Sequence, residues 1–159
     1  MTTRTPEDVQ TALNALGLDV QVRVFESSTA TAQQAADAIG TELGSIVKSL
    51  CFVVDGRPML VLTAGDRQVD DRKLAALFGV GRKKVKIADH QATIDATGYA
   101  PGGVSPVGLS HPLPILIDAT LQRFMLVYAA AGSPYAIFPI GLDTLVKITG
   151  GQIADIAKD

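Results

Sequence analysis

Charge, aromatic rings and sulfur are all scarce in this chain of 159 residues. Only 19% of the residues are Asp, Glu, Lys or Arg, below the roughly 25% of an ordinary globular protein. Fourteen bases stand against sixteen acids, a net charge of −2, which excludes a globally basic nucleic-acid binder. Aromatic residues number eight, none of them Trp, too few for a broad stacking platform for single-stranded RNA. One cysteine, Cys51, cannot form an internal disulfide, and with only His90 and His111 beside it the chain lacks a convincing zinc set. No G-x-S-x-G elbow, no H-E-x-x-H helix and no Gly-Lys-Ser/Thr phosphate loop is present. The N-terminal MTTRTPEDVQ has no apolar core of a signal peptide, so the expected location is the cytoplasm.

The charge shortage is concentrated in two stretches. Residues 96–117 and 124–142 carry no Asp, Glu, Lys or Arg. Gly and Pro break both, so neither reads as a membrane span of about 20 apolar residues. Apolar residues make up 47% of the chain, enough for a buried core, and the length fits one domain over residues 1–159.

Periodicity places the elements. Thr5-Pro6-Glu7-Asp8 opens a helix, which Gly17 stops. Residues 20–25 alternate as a strand, and 31–39 form a short helix. Residues 46–54 (IVKSLCFVV) and 58–64 (PMLVLTA), joined by Asp55-Gly56, read as a strand pair. Residues 70–78 are helical, with Leu74, Leu77 and Phe78 on one face; 85–87 is a strand and 88–97 a helix. A long Gly/Pro loop covers 99–114. Strands follow at 113–117, 124–128 and 135–140, then helices at 142–149 and 152–158. Strands occur both in close pairs and separated by helices, so a mixed α/β or α+β fold is expected.

Four features could carry chemistry. Lys48 interrupts an apolar strand, sharing a face with Ile46, Leu50, Phe52 and Val54. A lysine there either opens into a pocket beside an anion or snorkels to water at a sheet edge. The loop GYAPGGVSPVGL (98–109) is uncharged and stiffened by Pro101 and Pro106, while Gly102 and Gly103 allow close backbone approach. Such a loop either grips a carbonyl or phosphate oxygen or is a structural Ω-loop. Asp118 ends the strand PILID, where it caps the following turn or orients an amine. Eight bases and three acids between Arg57 and Lys86 give a local net charge of +5, densest at Arg82, Lys83, Lys84 and Lys86. That run is a solvated surface or a phosphate-backbone contact. Cys51, inside an apolar strand, reads as a small core residue.

These pieces together resemble the YbaK/prolyl-tRNA-synthetase-associated editing-domain family. The resemblance lies in residues 31–36 (TAQQAA), 46–50 (IVKSL), 60–70 (LVLTAGDRQVD), 98–109, 113–118 (LPILID) and 130–138 (AAGSPYAIF). It implies an α+β fold with a largely antiparallel, barrel-like mixed sheet and packed helices. It also implies a free-standing deacylase that hydrolyses mischarged aminoacyl-tRNA in trans. Its partners would be the aminoacyl-tRNA acceptor end and an aminoacyl-tRNA synthetase, with no cofactor, metal, DNA or membrane. Lys48 corresponds to the family lysine. Gly102, Gly103, Val104, Ser105 and Pro106 correspond to its Gly-x-x-x-Pro loop, and Asp118 to the acid of its Ile-Asp element. Phe25 and Ile46 are expected as pocket walls. Many relatives carry His where this chain has Tyr135, a position the resemblance places near the amino-acid pocket, so their amino-acid specificity does not transfer. The alternative is a non-catalytic module that binds aminoacyl-tRNA or a synthetase.

Overall fold

The computed structural model describes residues 3–159. Among these residues, five α-helices are interspersed with eight strands. The helices are α1 (Pro6–Ala15), α2 (Ala32–Ile39), α3 (Asp71–Phe78), α4 (His90–Thr97) and α5 (Leu142–Thr149). The strands are β1 (Arg23–Val24), β2 (Ile46–Val54), β3 (Arg57–Ala64), β4 (Val85–Ile87), β5 (Ile115–Asp118), β6 (Leu126–Ala130), β7 (Ala136–Gly141) and β8 (Gln152–Ala154).

All eight strands join one sheet in the order β1-β7-β6-β2-β3-β5-β8, with β4 also paired to β2. Four pairings are antiparallel (β1–β7, β2–β3, β2–β4, β6–β7) and three are parallel (β2–β6, β3–β5, β5–β8). This is the mixed fold expected from the order of the elements, with the largely antiparallel mixed sheet that the resemblance implied. β2 and β3 lie at its centre, covered on both faces, which explains their near-continuous apolar runs. One core joins α1 (Val9, Leu13) to Leu60, Leu62, Ile117, Phe138 and Leu145. A second lies on the other side, around Phe52, Val61, Leu74, Leu116 and Ile156.

Local chemistry fixes the helix ends. The Asp8 carboxylate accepts from the Thr5 amide at 2.8 Å at the start of α1. Thr31 and Gln34 form a reciprocal capping box on α2: Thr31 Oγ1 accepts from the Gln34 amide at 3.1 Å, and Gln34 Oε1 from the Thr31 amide at 3.2 Å. Gly40 closes α2 in the left-handed conformation at φ 81°.

Three expectations are corrected. Residues 152–158 are not helical: β8 pairs in parallel with β5, Gln152 opposite Leu116, and the remaining residues run on as extended chain. The 20–25 strand shrinks to Arg23–Val24, because Gln10 claims the Val22 amide at 2.8 Å and donates to the Val20 carbonyl at 2.9 Å. On α3, Leu74 is fully buried but Leu77 and Phe78 are 45% and 40% exposed, so the buried face is Leu74–Ala75.

Candidate functional site

A cavity of about 270 Å³ opens at the start of β2, where five separate parts of the chain meet. β2 supplies Ile46 to Leu50, including Lys48. The entry to α2 supplies Thr29, Ala30, Thr31, Ala32 and Ala35. Gly102 and Val104 come from the long loop, Tyr128 to Ala130 from β6, and Ile137 from β7. The wall is mostly apolar and built from small side chains, and among the described residues Lys48 is its one formally charged residue. Ser49 Oγ, also on this wall, is buried and meets no partner among the described residues.

Lys48 is half-buried and donates from Nζ to the Arg67 carbonyl at 2.6 Å. Burial lowers its pKa below the ordinary lysine value, and the negative charges of Asp118 and Asp66 oppose that shift. The pull back toward the charged form comes from neighbours that do not themselves line the cavity. Asp118 is fully buried at the end of β5, with Oδ2 accepting from the Ala64 amide at 3.0 Å and Oδ1 from the Thr120 amide at 2.8 Å. It therefore caps the short 3-10 helix at Ala119–Arg123, ties β3 to β5, and acts on Lys48 only through its field. Asp66 forms a forked pair with Arg123 (2.9 Å to Nη1 and 2.7 Å to Nη2), which holds its carboxyl below the usual range.

The loop wall depends on two neighbouring glycines with different duties. Gly102 has φ +91°, where a side chain is strained, and it faces the cavity. Gly103 is buried against the 132–135 turn: a Cβ there would stand 2.8 Å from the Ser133 amide nitrogen. The Gly103 amide donates to the Ala100 carbonyl at 3.1 Å. The Gly102 and Val104 amides donate to no group among the described residues.

The same 132–135 turn also holds the neighbouring wall at Thr29 and Ala30, where a Cβ at Gly102 would stand 3.7 Å from the Ala30 Cβ. The Thr29 amide and Oγ1 both reach the Pro134 carbonyl, at 2.6 Å and 3.0 Å, and the Phe25 amide donates to the Tyr135 carbonyl at 2.8 Å.

Of the residues singled out from sequence, Lys48, Ile46, Gly102 and Val104 meet at the cavity. The others do not line it. Ser105 is fully buried, its Oγ accepting from the Val107 amide at 3.2 Å, and Pro106 is buried beside it. Phe25 packs behind the wall with Ile46 and Ile137, and Tyr135 is 45% exposed outside it. Arg82, Lys83, Lys84 and Lys86 gather around β4, which pairs with the far end of β2. Lys86 lies opposite Val53, about 16 Å from Lys48 along the strand at about 3.3 Å per residue. The +5 segment is also diluted in three dimensions, since Lys73 pairs with Asp155 and Asp159, each at 3.0 Å.

Thr29, Ala30, Tyr128, Ala130 and Ile137 were not anticipated. Ala130 and Ile137 fall within the 130–138 segment but carry no distinctive chemistry, and non-local contacts bring the five together: strand pairing sets Tyr128 opposite Ile46 in the parallel β2–β6 pair, and the Pro134 carbonyl holds Thr29. Among the described residues, no three His, Cys, Asp or Glu side chains converge as a metal set.

Residues 26–148 match the aminoacyl-tRNA editing domain family. The chain belongs to that family. It is 32% identical over 155 residues to the uncharacterized protein YwhH of Bacillus subtilis, covering 96% of this chain and 97% of YwhH. It is 28% identical over 127 residues to EbsC of Enterococcus faecalis, named a "putative Cys-tRNA(Pro)/Cys-tRNA(Cys) deacylase", covering 79% of this chain and 76% of EbsC. A solved structure described as "a putative trans-editing enzyme for prolyl tRNA synthetase" superposes with a TM-score of 0.91 at 36% identity over the whole of both chains. In this editing domain the cavity therefore sits in a fold shared with proteins linked to tRNA editing. No helix among its described residues is long and apolar enough to cross a membrane.

Proposed function

We propose that this editing domain hydrolyses the ester of mischarged aminoacyl-tRNA in trans, with the acceptor end of the tRNA entering the cavity beside Lys48. The observation that carries the reading is that Lys48 and the Gly102–Val104 loop, two parts of the chain far apart in sequence, line one small, largely apolar cavity. The two-way coverage with YwhH supports action in trans, because a relative of the same extent stands without a synthetase body.

Ester hydrolysis needs a water, an oriented carbonyl and a place for the developing negative charge. The water oxygen bonds to the carbonyl carbon, the bond from that carbon to the ribose oxygen breaks, and the ribose oxygen leaves with a proton. The amides of Gly102 and Val104, which meet no acceptor among the described residues, are the candidate donors to the carbonyl oxygen. The Lys48 ammonium supplies positive potential for the terminal adenosine phosphate or the developing charge. No carboxylate lines the wall to repel that phosphate. The neighbouring hydroxyl of the terminal ribose is the available group to orient the water. The cavity volume of about 270 Å³ restricts the aminoacyl group, and cavity size sets the selection. One methylene discriminates by only about 1–3 kcal/mol, which is why a second, editing site is useful.

A panel of Ala-, Ser-, Thr- and Cys-charged tRNAs tests the proposal. Deacylation of at least one, lost in Lys48→Ala, is expected. Undiminished turnover by Lys48→Ala overturns the assignment of Lys48. Binding of every charged tRNA without cleavage points instead to a non-catalytic module.

A further inference from the structure

Lys48 does not hold its own position. Its ammonium is half-buried and, among the described residues, its hydrogen-bond acceptor is the Arg67 carbonyl, so the location of Nζ follows from the location of that carbonyl. Arg67 lies in the turn that leaves β3, and its own amide donates back to the Ala64 carbonyl at 3.0 Å. Downstream, the turn is fastened to a distant part of the chain. The Lys158 amide donates to the Gln68 carbonyl at 2.8 Å, and the Asp70 amide donates to the Ile156 carbonyl at 2.7 Å. Val69 and Ala157 face one another as an antiparallel bridge between these two bonds. Three residues further on, Lys73 Nζ donates to the Ala157 carbonyl at 2.7 Å and to the carboxylates of Asp155 and Asp159, both at 3.0 Å. Ile156 is fully buried in the second core, which anchors the segment from beneath.

We propose that residues 155–159 are a strap that positions Lys48: they fix the 67–70 turn, and through the Arg67 carbonyl they set where the Lys48 ammonium stands in the cavity. Lys73 and the Lys158 amide are then positioning groups. Neither lines the cavity. The strap continues directly from β8, which pairs Ala154 with Asp118, so the strand end carrying the field on Lys48 and the turn carrying its acceptor are held by one segment. The kinetic consequence rests on the hydrolase reading above; the position of Lys48 does not.

Lys158 is exposed, so Lys158→Pro removes its amide donor with little other change, while Lys158→Ala keeps that donor and serves as the control. Lys73→Met releases the ion pairs, and Lys73→Arg restores a cation. The readout is trace acetylation with acetic anhydride across a pH series, following the Lys48 peptide by mass spectrometry. With the strap intact, the Lys48 midpoint lies below that of an ordinary lysine. Lys158→Pro and Lys73→Met are expected to raise it by about half a unit or more, as the ammonium swings toward water. Lys158→Ala and Lys73→Arg are expected to stay with the unmodified protein. In deacylation the same two releasing variants should lose roughly three- to tenfold in kcat with KM changed less than about twofold. Amide exchange at Asp70 shows whether the strap has opened. An open strap with an unmoved Lys48 midpoint overturns the proposal. A shifted midpoint in a protein that cleaves no charged tRNA sustains the strap and refutes the hydrolase reading.

Discussion

The Gly132 amide donates to the Gly103 carbonyl at 3.0 Å, so the loop that faces the cavity is hung on the turn that also holds the neighbouring wall at Thr29. The two walls do not adjust independently, because the Pro134 carbonyl in that turn holds Thr29.

Neighbouring glycines should therefore respond differently to the same substitution. Gly103→Ala places a methyl against Ser133 backbone, 2.8–3.0 Å from three of its atoms, and should cost about 1–3 kcal/mol while spreading the walls. Gly102→Ala meets only the Ala30 Cβ at 3.7 Å, so its cost is the backbone strain at φ +91°, about 1–2 kcal/mol. Urea unfolding gives the stabilities. Deacylation should fall further in Gly103→Ala than its stability loss alone explains.

The lowered pKa of Lys48 makes a prediction about pH. In the proposed hydrolysis the ammonium is the useful form, so turnover above the spontaneous rate should decline as pH rises through a midpoint below the ordinary lysine range. The Lys48→Arg protein, which stays charged, should show no such decline. Stability runs the other way. The unfolded chain holds this proton to higher pH than the folded chain does, so the Lys48 contribution grows as pH rises through that window. Rate profiles and urea midpoints over the same pH series separate the two effects.

Asp66 and Arg123 give an acid-side test. Their pairing lowers the Asp66 pKa, so the stabilisation is complete above the ordinary carboxylate value and disappears as pH falls through the lowered one. Both side chains are about a third exposed, which limits the pair to about 1 kcal/mol or less. Arg123→Met should lose that amount at neutral pH and show a shallower loss of stability on acidification, read from urea midpoints.

Tyr99 gives the alkaline counterpart. It is fully buried, and its hydroxyl lies 2.8 Å from the Val107 carbonyl and 3.0 Å from the Gly108 carbonyl. Burial pushes its pKa up to about 12. The contribution of this phenol to stability should be intact below about pH 10 and lost as pH climbs toward 12, because the unfolded chain gives up the proton first. Tyr99→Phe should cost about 1–2 kcal/mol and flatten that decline. Ultraviolet titration of the phenolate, alongside alkaline unfolding, checks both.

The parts of the fold legible in the sequence are those written by local chemistry. IVKSLCFVV spans β2 residue for residue, and the α5 bounds, Leu142 to Thr149, match the apolar spacing before Gly150. Residues 152–158 misled because three residues after a glycine pair suit a strand only when β5 stands beside them, and that partner is non-local. Residues 20–25 misled because the amide group of one glutamine, Gln10, takes over bonds that a neighbouring strand would have made. At the cavity, Lys48 and the glycine loop stood out through charge and composition. Ala30, Tyr128 and Ile137 did not, since a small or apolar residue looks the same in a core as in a binding wall. The visible traces were the hydroxyl-rich STAT run before α2 and the AAAG run after Tyr128.

Because its walls come from residues 29–35, 46–50, 102–104, 128–130 and 137, the cavity has no local precursor. The β2–β3 hairpin closes over two intervening residues, Asp55 and Gly56, whereas β2–β6 bridges most of eighty residues in parallel. Contacts of such long sequence separation cost more loop-closure entropy than the hairpin, so they are expected to form after it. A partly folded chain, whether nascent or thermally frayed, is thus expected to hold its central strands without the cavity. Loss of activity should precede loss of secondary structure on heating, and the concentration of competent sites in a preparation is a measure of its fully folded fraction.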